Sequence, residues 1–186
     1  MKGVVFVHFL EMVENRFGYD MADEIIEAST LATRGAYTAV GTYDHTELLQ
    51  LVTCLSRKTR VPVHQLMEAF GKKMFAVLSS GYPEFIKDMD NLFSLLQKVE
   101  DIIHVEVKKL YPDAELPSFR HRLIDENTLE LIYASPRPFA DFAKGLILGC
   151  VEHFREDAQI RTMEPLAAAP HQKVRFVIVK EGGRDR

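Results

Sequence analysis

The sequence predicts an α+β fold, with helices first and a small antiparallel sheet after them. Two observations carry this. Apolar residues recur at helical spacing through the first two-thirds of the chain, and after Pro112 the period falls to two. A content of 47% hydrophobic residues in 186 is enough to build a full core.

The elements follow in order. Val4, Val5, Phe9, Met12, Val13 and Phe17 mark a first helix, with Gly18 as its stop. A short second helix spans about 20–29. Gly35 to Tyr43 mixes glycine with β-branched and aromatic residues, which reads as a structured loop. Asp44 with Glu47 three later reads as a capping box for a helix carrying Leu48, Leu51, Val52 and Leu55. Pro62 opens the next helix, through Leu66, Met67, Phe70, Met74, Phe75 and Val77 to about Gly81. Pro83 starts a short piece. A long helix from about Asp90 to Leu110 rests on Leu92, Leu95, Leu96, Val99, Ile103, Val107 and Leu110, and Pro112 stops it.

Phe119–Leu123 and Thr128–Ala134 read as strands joined by a turn at Asp125-Glu126-Asn127. Pro138 suits the first turn of a helix through Phe154. Ile160–Met163 and Val174–Val179 form a second strand pair, joined by a loop from Pro165 to Gln172. Residues 181–186 read as a frayed tail. The sheet is expected to wrap around the late helix.

Bulk properties exclude several classes. A net charge of −4 lacks the basic footprint of a nucleic-acid protein. Cys54 and Cys150 lie far apart, which suits a reducing compartment and not a disulfide framework. Glu11 and Glu14 interrupt the apolar start, and no run reaches the roughly 20 residues that span a bilayer. The expectation is a soluble, cytoplasmic protein. Phosphate loops, zinc-protease helices, Cys-x-x-Cys pairs and nucleophile elbows are all missing from the sequence.

The stretch Tyr133-Ala-Ser-Pro-Arg137 stands out. Alternate side chains of a strand share a face, so Tyr133, Ser135 and Arg137 would align two hydroxyls with a guanidinium. Such a row is a receptor for a pair of carboxylates. A solvent face on an edge strand is the alternative. Pro136 and Pro138 hold Ser135 and Arg137 extended, which favours a rigid binding role. His104, late on the long helix, sits four residues from both Glu100 and Lys108. It reads either as part of a solvated Glu-His-Lys row or as a single axial ligand to a haem iron, for which one imidazole suffices.

These residues resemble the bacterial H-NOX family, haem nitric oxide/oxygen-binding domains related to the haem domain of soluble guanylate cyclase. The resemblance is carried by the Met1-Lys-Gly start, the loop from Gly35 to His45, Ala69-Phe-Gly71, His104, Leu110 to Pro117, the Tyr-x-Ser-x-Arg row and Arg137 to Leu146. It implies one haem-enclosing domain over 1–180, with a distal helical lobe over about 1–60 and a proximal lobe over about 61–180. It further implies haem b as cofactor, His104 as proximal ligand, and Tyr133, Ser135 and Arg137 as holders of the propionates. Pro117 would press on the porphyrin, and Val5, Phe9, Met74, Phe142 and Leu146 would line the distal pocket. Oxygen-binding relatives carry a tyrosine where this chain has Phe142, so NO and CO, not oxygen, are the expected ligands. The family passes its signal to a separate partner, commonly a histidine kinase or a cyclic-di-GMP enzyme, by weakening or breaking the bond from iron to His104. No enzymatic activity is expected. Some relatives bind zinc through cysteines and a histidine near the C-terminal strands; those cysteines are missing here, so no zinc is expected and His171 reads as a loop residue. The rival readings are a peroxidase-type haem enzyme, an oxygen-binding haem protein, and a haem-free interaction module.

Overall fold

A computed structural model describes residues 1–167 and 172–181; His171 and the tail beyond Glu181 lie outside the described residues. Helices α1 (Gly3–Phe17), α2 (Tyr19–Glu27), α3 (His45–Thr59) and α4 (Val63–Gly81) come first. A 3₁₀ turn at Pro83–Phe85 leads to α5 (Leu92–Lys98), a π-helical turn (Val99–Ile103) and α6 (His104–Leu110). Strands β1 (Ser118–Asp125) and β2 (Thr128–Ser135), helix α7 (Ala140–Phe154), and strands β3 (Ala158–Ala167) and β4 (Gln172–Lys180) complete it. The sheet is antiparallel throughout, in the order β1-β2-β4-β3. The α+β class and the order of elements are as the sequence predicts.

Two apolar cores organise the chain. The first is built from α1, α2, α3 and α4, around Phe6, Phe9, Ile25, Leu51, Leu55, Leu66 and Phe70. The second joins α5 and α7 to one sheet face, through Leu92, Leu96, Ile147, Leu129, Leu131, Phe176 and Ile178. Helix α7 serves both. Its Phe142 and Leu146 pack on the first core, while Ala143, Ile147 and Cys150 belong to the second. In β2 the odd-numbered residues are buried from Leu129 to Ser135, the period of two expected of a half-buried strand.

Local departures from the sequence reading have physical causes. Asp44 caps α3 by accepting the Thr46 N–H at 2.9 Å, but Glu47 does not close a capping box. It turns inward and accepts from the Thr33 hydroxyl (2.5 Å), the Thr33 N–H (3.3 Å) and the Tyr37 hydroxyl (2.6 Å). Three donors satisfy a carboxylate that is only 5% exposed, and they hold it ionised below the usual carboxylate range against the desolvation of its burial. The capping box that does form lies at Asn91 and Ser94.

The expected long helix is broken. The His104 N–H bonds the Val99 carbonyl, five residues back, and no residue of the turn or of α6 is buried. The apolar stripe therefore reaches the core through α5 and, at its edge, through the partly buried Val99. Helix α7 begins at Ala140, so Pro138 lies in the preceding bend and not in its first turn.

Arg155 ends α7 in the left-handed conformation, φ 53° and ψ 34°. A β-carbon costs about 1–2 kcal/mol there, while glycine adds about 0.5–1 kcal/mol of unfolded-state entropy. Arg155 is exposed. Arg155→Gly is expected to stabilise the protein by about 0.5–1 kcal/mol, a rise in Tm of about 1–4 °C by calorimetry.

Candidate functional site

His104 is the first residue of α6, directly after the π-helical turn. Its side chain is 15% exposed, and its Nδ1 lies 3.2 Å from Glu100 Oε2. Burial lowers its pKa, with Glu100 opposing, so the neutral imidazole is favoured. Its ring meets Phe119 of β1, centroids 5.7 Å apart, and Phe119 meets Tyr133 of β2 at 5.5 Å. This aromatic chain brings His104 to the carboxylate-receptor row. At 15% exposed and set against Phe119, His104 is not part of a freely solvated Glu-His-Lys row.

The row itself is assembled differently from the sequence reading. Tyr133 and Ser135 share the buried face of β2, at 2% and 6% exposed, which removes the solvent-face alternative. Burial pushes the Tyr133 hydroxyl pKa up, so it remains a donor. Arg137, however, lies past the strand in a bend. The turn, not strand alternation, carries it, and its N–H donates to Ser135 Oγ at 3.0 Å. Its guanidinium donates to the Glu115 carbonyl at 2.9 Å and grips the Glu115 carboxylate. Pro117 follows in the same loop, half-buried, just before β1.

The five residues expected on the distal side are together in the first core. Phe9 and Met74 are buried, and Val5, Phe142 and Leu146 pack partly buried against the same cluster. Phe70 links them, edge-on to Phe9 at 5.3 Å and tilted on Phe142 at 5.1 Å. None of these side chains has an N–H or O–H donor. The His8 Nδ1 lies 2.6 Å from the Glu11 carboxylate, and His8 does not belong to this apolar cluster.

Sequence reading placed Glu100 four residues from His104 without giving it a role at the site, and it gave none to Glu115, Phe119 or Phe70. The other three become neighbours of the site only through the sheet and the α4–α7 packing. Among the described residues no group of three or more His, Cys, Asp or Glu is placed to hold a metal ion. Cys54 and Cys150 are buried in separate cores, and burial pushes the Cys150 thiol pKa up.

The donor set fits haem. A neutral histidine beside an apolar cluster suits an iron in an apolar macrocycle. A guanidinium that already grips a carboxylate, next to two hydroxyls, suits the paired propionates. His104 would ligate the iron, and Tyr133, Ser135 and Arg137 would hold the propionates.

Comparison with known proteins points to the same class of cofactor. The family profile described as Haem-NO-binding matches residues 2–162. The chain is similar to the ferrous, unliganded H-NOX protein of K. algicida, with 38% identity, full coverage of both chains and a TM-score of 0.93. It is also similar to the IWP-051-bound H-NOX of Shewanella woodyi in its Fe(II)CO state, with 45% identity, covering 100% of this chain and 97% of that one at a TM-score of 0.82. Among curated proteins it is 24% identical to the soluble guanylate cyclase gcy-35 of Caenorhabditis elegans, over 97% of this chain but 28% of that protein's length. The fold, the match over residues 2–162 and these likenesses together show that the chain belongs to the Haem-NO-binding, or H-NOX, family of haem-based gas-binding sensor domains.

Proposed function

We propose that this chain is a cytoplasmic, non-enzymatic sensor that binds nitric oxide and carbon monoxide at ferrous haem b, excludes oxygen, and reports to a separate signalling protein. The observation that carries the selectivity is the distal wall of Val5, Phe9, Met74, Phe142 and Leu146, with Phe70 behind it and no hydrogen-bond donor in the set. When bound, haem supplies the ferrous iron that takes the diatomic ligand. Bound oxygen carries partial negative charge and is stabilised by a donor; that bond would contribute about 1–3 kcal/mol, or roughly ten- to a hundredfold in affinity. Nitric oxide needs it far less, and the Shewanella woodyi protein is known with CO on ferrous iron.

His104 would hold the iron, and nitric oxide binding there would weaken that hold. What supports a relay from it is the path beyond α6. The loop that follows is tied to the N-terminal lobe at Asp113, which accepts from Lys2 Nζ at 3.2 Å and from the Thr42 hydroxyl at 2.7 Å. Lys2 also lies 5.4 Å over the Tyr111 ring. A shift of α6 would pull on this attachment and on Pro117, giving a two-state element biased by ligand. The partner is of the histidine-kinase or cyclic-di-GMP-enzyme kind. Among the described residues no helix is long and apolar enough to cross a membrane.

The test is an absorption spectrum of the reduced protein with oxygen, CO and NO in turn. CO and NO complexes are expected, with no stable oxygen complex; a stable oxy spectrum in air would falsify the selectivity. Phe142→Tyr, which places a hydroxyl in this wall, is expected to raise oxygen affinity by about ten- to a hundredfold.

A further inference from the structure

We propose that Glu100 is a positioning residue for His104: its carboxylate fixes the imidazole tautomer, raises the basicity of the ligating nitrogen, and fastens the ligand to strand β1. This rests on the reading of His104 as the iron ligand. One oxygen, Glu100 Oε2, meets two groups at once. It lies 3.2 Å from His104 Nδ1 and accepts the Phe119 backbone N–H at 3.0 Å.

The proton assignment follows from that shared oxygen. The Phe119 N–H is a donor only, so Oε2 is an acceptor. An unprotonated Nδ1 would set a lone pair against an anionic oxygen. The proton therefore sits on Nδ1, and the lone pair on Nε2, the atom left to ligate. A carboxylate accepting from the far nitrogen makes the imidazole a stronger donor to iron, as outer-sphere carboxylates do for metal-bound histidines elsewhere.

The backbone explains why this residue is placed to do so. Glu100 lies in the π-helical turn that ends at His104, and such single turns inside α-helices are frequent at functional sites. Phe119, whose N–H holds Glu100, also sets its ring against His104, tilted by 50°, and pairs in register with Tyr133. The carboxylate thus joins the ligand helix to the strand beside the propionate row. This bond would keep His104 attached to β1 if its hold on the iron were weakened, so a movement of α6 would be delivered to the sheet as well as to the loop at Asp113.

The test uses the haem-loaded protein and Glu100→Gln, which preserves length and an acceptor oxygen but removes the charge. Resonance Raman spectra of the ferrous, unliganded protein are expected to show the iron–histidine stretch at lower frequency. The reduction potential is expected to move positive, and haem transfer to a scavenger to quicken by about 10- to 100-fold. A folded Glu100→Gln protein with an unchanged stretch and potential overturns the proposal, because a merely structural role would move neither. Should that variant not fold, the unaltered protein decides. In its diamagnetic CO complex the His104 Nδ1 proton is expected to exchange slowly with solvent, and fast exchange overturns the proposal. Protein that binds no haem would instead overturn the reading of His104 itself, so the two failures are distinguishable.

Discussion

His104→Ala is expected to abolish stable haem binding while leaving the protein folded. His104 belongs to neither apolar core, so its side chain supports little of either. Its loss should cost stability of no more than about 1 kcal/mol. The effect on haem should be far larger. Second-sphere partners of metal ligands alone contribute about 10- to 100-fold in affinity, and His104 is the proposed ligand itself. Purified His104→Ala should lack the Soret band that the unaltered protein shows, with far-ultraviolet circular dichroism unchanged. His104→Gly with added imidazole should regain the band, because the free base can occupy the same side of the iron. The iron–protein tether is then gone, so nitric oxide should bind without altering the partner's activity. Regulation that survived intact would sink the account in which His104 transmits the signal.

Gly145→Ala is expected to have the largest effect on stability. A β-carbon at Gly145 would lie 2.1 Å from the Glu68 carbonyl oxygen and 2.8 Å from Gly71 Cα. One at Gly71 would lie 2.3 Å from the Phe142 carbonyl oxygen. These are backbone atoms, so α4 and α7 must separate to make room. The ion pairs Lys144–Glu68 (2.7 Å) and Lys72–Glu152 (2.6 Å) flank the crossing and would be stretched with it. Overpacking of this kind costs about 1–3 kcal/mol, and each kcal/mol lowers Tm by about 2–4 °C at this size. Helix α4 carries Phe70 and Met74, and α7 carries Phe142 and Leu146, so the same displacement should also alter CO and NO binding. Gly81→Ala is the matching control, since a β-carbon there meets nothing within 4 Å. It should leave stability unchanged or slightly raised. Equal Tm values for Gly145→Ala and the unaltered protein would show that the helices are not held at this distance.

The sequence was most legible where the signal is local. Hydrophobic spacing placed α1, α4 and the start of α3 to within a residue or two, and a period of two placed β2. It was least legible where a residue had two possible partners. Glu47 has the spacing of a capping box, but the donors of Thr33 and Tyr37 satisfy it in the interior instead. The stripe from Leu92 to Leu110 has helical spacing, and spacing alone does not reveal the extra residue that the π-helical turn accommodates. Arg137 fits a strand by counting, yet the bend after Ser135 presents it.

By itself, the sequence determined the class of fold and the order of its elements, and it named the candidate donors: one imidazole, two hydroxyls and a guanidinium. It could do so because helix and strand periods, and the chemistry of a side chain, are properties of neighbouring residues. The tertiary structure decided what those donors meet. It set Glu100 between His104 and Phe119, Glu115 on Arg137, Phe70 between Phe9 and Phe142, and Gly145 against Gly71. Most of these pairs lie far apart along the chain. They form only where sheet register, helix crossing and the burial of two cores are satisfied together.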